Sequence, residues 1–268
     1  MANFNGKIVL ITGGSDGIGK ALVSQFLTLG AKVATCARNN EKLALLHTQF
    51  LTDNLFTEQV DVTSETQVNL WIQEVADKWG GIDIVINNAG ISMRALVSEV
   101  SLETLKNVMD INFWGSVYTT KAALAYVQKA SGVIVGVSSI AGYRGLPGRS
   151  GYSASKYALN GWLEALKTEL YGSGTHVMWV CPGFTSSNIR NAALDKNAQA
   201  QGESPMDEAA MMSSEECASH IIKAIIKRKR TLVLTFTGKR TVFMNKFFPG
   251  LADKLAYQFF FKNGKLVK

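Results

Sequence analysis

The chain has little cysteine, little histidine and no long apolar run. Cys36, Cys181 and Cys217 are widely spaced, odd in number and without a CxxC pair. That argues against a disulfide framework or a zinc site and fits a reducing cytoplasm, so no metal is expected. His47, His176 and His220 are scattered and read as surface or packed side chains rather than ligands. No apolar stretch reaches about 18 residues, so no membrane-spanning helix is expected. The opening stretch MANFNGKIVLITGG lacks the basic, apolar and small-residue succession of a secretory signal and reads as a first strand. Acidic side chains are nearly missing from the end of the chain. Residues 223–268 carry 12 Lys/Arg against one Asp/Glu, whereas residues 1–222 carry 16 against 20. The net charge of +7 therefore belongs to the C-terminal segment, and no nucleic-acid partner is expected for the body of the chain.

What is present is enough apolar material for one sizeable core: 47% of 268 residues. Short apolar runs alternate with stretches of helical period. KIVLITGG (7–14), KVATCAR (32–38), FTEQVDVT (56–63), IDIVINNAG (82–90), GVIVGVSS (132–139), THVMWVCPG (175–183) and TLVLTF (231–236) read as strands, with helical patterns between them. The pattern from Leu102 to Ala130 reads as one long helix. SSEECASHIIKAIIKRKR (213–230) reads as a capped helix, with serine and glutamates first and basic residues last. Strands alternating with helices imply parallel pairing through crossovers, hence an α/β doubly wound parallel sheet, the Rossmann fold. Such a sheet places ligands at the carboxyl ends of its strands. Those ends carry the unusual residues here. Residues 1–238 are expected to form the catalytic domain, with a lid at about 188–214, and residues 239–268 a basic, aromatic C-terminal extension.

TGGSDGIG (12–19) lies between a strand and a helix. Gly13, Gly17 and Gly19 permit a tight turn and close approach of backbone to a pyrophosphate, and the helix start supplies free amides. The spacing is GxxxGxG, not GxGxxG. Gly13, Ser15, Gly17, Ile18 and Gly19 are expected to face a dinucleotide. A carboxylate at the end of the second strand would bind the adenosine ribose of NAD, whereas an arginine there accommodates a 2′-phosphate. The strand ends CARN, with Arg38, so NADP is expected over NAD. Asp16 opposes that if its carboxylate points inward.

SSIAGYRGLPGRSGYSASK (138–156) sets Tyr152 and Lys156 four residues apart on one helix face, with Ser139 at a strand end upstream. An ammonium beside a phenol favours the phenolate, and so does a positively charged nicotinamide ring. Tyr152 is then expected to act as general acid/base toward a carbonyl or alcohol. Ser139 is expected to hydrogen-bond the substrate oxygen, and Lys156 to hold the cofactor ribose.

Taken jointly, TGGSDGIG, DVT, NNAG, INFWGS, SSIAG…YSASK and PG resemble the classical short-chain dehydrogenase/reductase family over roughly residues 5–190. The resemblance implies that Ser139, Tyr152 and Lys156 are the catalytic trio. Asn112 would complete a tetrad by holding a water in the proton relay. Asp61 and Val62 would form the adenine-contacting turn, and Asn88 would sit near the adenosine ribose. The backbone near Phe184 and Thr185 would meet the nicotinamide amide, and Ser187 stands where the family usually has threonine. The resemblance also implies a homodimer or homotetramer through helices beginning near residues 102 and 152. ARNNEKL and the 138–156 stretch look like reductases of larger apolar ketones, of the 3-ketosphinganine or 11β-hydroxysteroid type. The activity implied is NADP(H)-dependent interconversion of a ketone and a secondary alcohol, with an apolar substrate. The alternative is an NADP-binding sensor or scaffold without turnover.

Met206, Met211 and Met212 in the lid would either line an adaptable pocket or pack against the body. The tail interleaves lysines with Phe243, Phe247, Phe248, Phe259, Phe260 and Phe261. Such a segment would lie in a membrane interface, placing the protein peripherally on a membrane from the cytoplasm, or would cover the pocket or a subunit contact.

Overall fold

The structure, a computed structural model, describes residues 4–204 and 211–267. Seven strands form one wholly parallel sheet: β1 (Ile8–Thr12), β2 (Lys32–Ala37), β3 (Leu55–Gln59), β4 (Ile84–Asn87), β5 (Val133–Val137), β6 (His176–Cys181) and β7 (Thr231–Val233). Their order is β3-β2-β1-β4-β5-β6-β7. The order reverses between β1 and β4, so a crevice opens at the carboxyl ends of these two strands.

Alternate strand residues go to opposite faces. Val9, Ile11, Ile84, Ile86, Val135 and Val180 meet α1 (Gly17–Thr28) and α7 (Ser214–Ile226) in one core. Leu10, Val85, Ile134 and Trp179 face the other way. They meet α3 (Glu65–Trp79), α5 (Gly115–Lys129) and α6 (Ser150–Glu169) in the second. Burial on both faces explains why these strands read as continuous apolar runs. The remaining crossover, α2 (Asn40–Gln49), follows β2.

Three elements depart from expectation. The long helical pattern is α4 (Leu102–Met109) and α5 joined by a π-helical turn, Asp110–Trp114. Periodicity cannot show one wider turn inside an otherwise continuous pattern. The last strand of the sheet ends at Val233 instead of Phe236. Thr235 caps a new helix, α8 (Phe236–Phe247), with its hydroxyl accepting from the Gly238 amide at 3.0 Å. That helix runs through residue 238, where the extension was expected to begin. It is followed by α9 (Pro249–Phe260) and a small hairpin, β8 (Phe261–Lys262) and β9 (Lys265–Leu266). Ser213 caps α7 as its sequence suggested, accepting from the Glu216 amide at 3.0 Å.

Candidate active site

A cavity of about 790 Å³ opens at the reversal between β1 and β4. The loop after β1 forms one end. Gly13 holds a left-handed φ of +71°, and a Cβ there would sit 3.0 Å from Ala89 Cα. A Cβ on Gly19 would lie 2.1 Å from the Gly13 carbonyl oxygen. This is a backbone cradle that side chains would fill, and it fits a pyrophosphate at a helix start. Ser15, Gly17 and Ile18 line the cavity, whereas Gly19 is buried and only permits the close packing.

Asp16 caps α1, accepting from the Gly17 amide at 2.8 Å, and pairs with the Lys42 ammonium. Its charge is therefore matched by Lys42 instead of standing alone against a phosphate. Lys42 was not singled out from the sequence. Its signal was position: it lies in the first turn of α2, whose cap Asn39 accepts from the Lys42 amide at 2.8 Å. A helix start that follows a parallel strand faces the same crevice. Arg38, Asn39 and Lys42 all line this end of the cavity.

Asn88 binds the loop itself. Its Nδ2 donates to the carbonyls of Thr12 at 3.0 Å and Gly13 at 3.1 Å. The amides of Asn88 and Ala89 both donate to Thr12 Oγ1 at 3.0 Å. Asn88 thus borders the cavity while its side-chain amide braces the glycine loop after β1. Val62 lines the cavity, and Asp61 closes the preceding turn by accepting from the Thr63 amide and hydroxyl at 3.0 and 2.8 Å. Asp61 lies instead beside Arg38, Gln59 and Gln67 in a small neighbouring depression.

Ser139, Tyr152 and Lys156 converge at the middle of the cavity. Ser139 stands just past β5 in extended conformation; its hydroxyl accepts from the Ala141 amide at 3.1 Å and lies toward the Tyr152 phenol, whose ionised form it favours. Lys156 is buried, and its Nζ donates to the Val137 carbonyl at 2.8 Å, 5.8 Å from the centre of the Tyr152 ring. Burial pulls the Lys156 ammonium down to about 8. Burial also raises the Tyr152 phenol above its usual value, against the Ser139 hydrogen bond and the charges of Arg149 and Arg190. The net direction is therefore opposite to the lowering expected from the neighbouring Lys156. In the protein alone desolvation outweighs the charges, and the opposing cations are two arginines the sequence reading did not name. Both line the cavity.

Asn112 lies in the π-helical turn and is fully buried. Its Oδ1 accepts from the Ile91 amide at 2.8 Å, and its Nδ2 donates to the Ile91 carbonyl and to Ser155 Oγ, both at 2.9 Å. Ser155 Oγ in turn donates to the Tyr152 carbonyl at 2.8 Å. The side chain ties the loop after β4 to the helix carrying Tyr152.

After β6, Thr185 is buried, and its carbonyl accepts from Arg190 Nη2 at 2.6 Å. Ser187 lines the cavity, with its Cβ 3.2 Å from the place a Gly17 Cβ would take. The lid methionines do not line it among the described residues: Met212 packs on the core beside α7, and Met206 lies outside the described residues. The ceiling comes from α8 and α9 instead, through Met244, Leu255, Ala256 and Phe259. Phe259 stacks on Phe184 at 6.0 Å. Arg144 pins both helices to the turn after Ser139, donating to Asn245 Oδ1 at 3.0 Å and pairing with Asp253 at 2.7 Å.

Residues 7–198 match the family model described as short chain dehydrogenase. The mouse dehydrogenase/reductase SDR family member 7B is 31% identical over 258 residues, covering 93% of this chain and 80% of the mouse protein. The Arabidopsis thaliana 11-beta-hydroxysteroid dehydrogenase 1A is 32% identical over 241 residues, covering 85% of this chain and 68% of that protein. A Burkholderia phymatum short chain dehydrogenase/reductase, solved in complex with NAD, superposes with a TM-score of 0.81 at 22% identity. That superposition covers 94% of this chain and 96% of the other, and at this identity it speaks for the fold.

Proposed function

The chain belongs to the short-chain dehydrogenase/reductase family and is an NAD(P)-dependent oxidoreductase; from that premise we propose that it reduces an apolar ketone to a secondary alcohol, or the reverse, with NADP(H). The observation that carries this reading is the convergence of Ser139, Tyr152 and Lys156 inside a cavity with a glycine cradle at one end and an apolar ceiling above. NADPH supplies a hydride when bound. The loop amides near Gly13 and Gly17 hold its pyrophosphate, and Ser187 closes on that loop. Arg38 receives the 2′-phosphate, and Lys42 offsets Asp16 beside it.

Ser139 and Tyr152 both direct hydroxyls at the substrate oxygen. Tyr152 gives its proton to that oxygen as negative charge develops, and Ser139 donates a hydrogen bond to the same atom. The raised Tyr152 pKa keeps the phenol protonated before the reaction, which suits the reducing direction. The buried Lys156 ammonium favours the tyrosinate once the proton has left. Met244, Leu255, Ala256 and Phe259 give an apolar body a place to lie, which favours large ketones over small polar ones.

The test is oxidation of NADPH and NADH with ketones ranging from small aliphatic ones to steroids and long-chain ketones. Turnover with NADPH and an apolar ketone is expected, with Tyr152→Phe losing about 100-fold or more while still binding the cofactor. Undiminished turnover by the variant would remove Tyr152 from the chemistry. Tight NADPH binding with no turnover across the panel would favour the sensor reading.

A further inference from the structure

Four apolar side chains at the turn between α8 and α9 face solvent. Phe243, Phe247 and Phe248 are 55%, 55% and 54% exposed, and Leu251 is 50% exposed. The rings touch: the Phe243 centroid lies 4.9 Å from that of Phe247 and 6.3 Å from that of Phe248. None of the four lines the cavity, which takes other side chains of the same two helices. At ~200 Å² for a large apolar side chain, the cluster exposes on the order of 400 Å² in one place. That is as large as the largest patch on an ordinary monomer.

The charges around the cluster have one sign. Lys239, Lys246 and Lys254 lie within four residues of it along the two helices, and Lys246 Nζ lies 5.5 Å over the Phe247 ring. The one acidic residue of the segment, Asp253, is paired with Arg144. No helix among the described residues is long and apolar enough to cross a membrane. Aromatic rings ringed by ammonium groups, on two short helices, have the chemistry of a segment lying in the interface of a bilayer. Phenylalanine and leucine enter the acyl boundary while lysines stay among the headgroups.

We propose that the α8–α9 turn docks the protein on an anionic lipid surface, with Phe243, Phe247, Phe248 and Leu251 inserted and Lys239, Lys246 and Lys254 on the headgroups. The helices that dock are the ceiling of the cavity, so the apolar compartment of the protein lies against that of the lipid. That an apolar ketone enters from the bilayer rests on the ketoreductase reading; the docking does not.

Flotation of the full chain with vesicles tests this without substrate or cofactor, so its outcome is separate from that of the turnover assay. The chain is expected to float with phosphatidylcholine vesicles containing about a third phosphatidylserine and much less with phosphatidylcholine alone. Raising salt from about 0.1 to about 0.5 M is expected to release part of it. The Phe247→Ser/Phe248→Ser variant is expected to lose at least about tenfold in vesicle affinity. Lys246→Gln and Lys254→Gln are expected to lose about fivefold each. Thermal unfolding of each variant, matching the parent, shows that the fold is intact. Failure of the parent to float on anionic vesicles, or flotation of the phenylalanine variant like the parent, would overturn the proposal. A parent that sediments as a dimer and ignores vesicles, with a monomeric phenylalanine variant, would assign the patch to a second copy and overturn it equally.

Discussion

Lys156 shows what a buried charge costs and what it returns. Its ammonium is out of water and satisfied by one carbonyl, so its pKa falls from 10.5 to about 8. The unfolded chain holds that proton up to about pH 10, so between pH 8 and 10.5 the unfolded state binds more protons than the folded one. The folded state is therefore penalised below pH 8, and stability is regained as pH rises through that window. Lys156→Met is expected to stabilise the cofactor-free protein by about 1–3 kcal/mol at pH 7, and by much less near pH 10. Urea unfolding at the two pH values checks this. A variant less stable than the parent at pH 7 would mean that the Val137 hydrogen bond outweighs the desolvation. Losing activity while gaining stability is the usual mark of a strained functional site. Tyr152 follows the same logic in the other sense, since burial favours its neutral, proton-bearing form.

At the scale of the element, the π-helical turn at Asp110–Trp114 is the unusual piece. A wider turn in the helix brings Asn112 to the loop after β4, where it satisfies both the amide and the carbonyl of Ile91 and reaches Ser155. The turn joins the loop behind Gly90 to the helix that carries Tyr152 and Lys156. A Cβ on Gly90 would lie 3.1 Å from Asn112 Oδ1 and 3.5 Å from Lys156 Nζ. Asn112→Ala leaves the part-buried amide and carbonyl of Ile91 without these partners. It is expected to cost about 2–4 kcal/mol in chemical unfolding. Asn112→Asp, which keeps the acceptor for the Ile91 amide and loses the donor toward its carbonyl, is expected to fall between the two. Equal stability of Asn112→Ala and the parent would show that water replaces the side chain without loss.

At the scale of the molecule, the end of the cavity lined by Arg38 and Lys42 belongs to β2 and the start of α2, far along the sheet from the ceiling made by α8 and α9. In the proposed reading, cofactor choice and substrate choice are made by different parts of the chain. Ligand at about 100 times its Kd stabilises the fold by ~2.7 kcal/mol. For a chain of this size that raises Tm by about 5–10 °C. NADPH is expected to give such a shift at concentrations where NADH gives much less, and Arg38→Ala is expected to weaken NADPH by about 10-fold or more while leaving NADH unchanged. Equal shifts from the two cofactors in the parent would mean that Asp16 outweighs Arg38 despite its pairing with Lys42.

Local pattern settled the doubly wound sheet, the glycine cradle and the spacing of Ser139, Tyr152 and Lys156. Each of these is a short-range property: a strand buried on both faces must be apolar along its length, and residues four apart on a helix share a face. Four things depended on parts of the chain remote from one another. Lys42 meets Asp16 only because α2 and α1 start at the same edge of the sheet. Arg190 acts on Tyr152 only once the segment after β6 is brought beside it. The direction of the Tyr152 shift follows from burial, which is set by everything packed around the ring. The tail became the ceiling of the cavity because Arg144, a hundred residues upstream, holds Asn245 and Asp253. Hydrophobic period and residue spacing are written locally, whereas desolvation and ion pairing are properties of the space into which distant segments are brought.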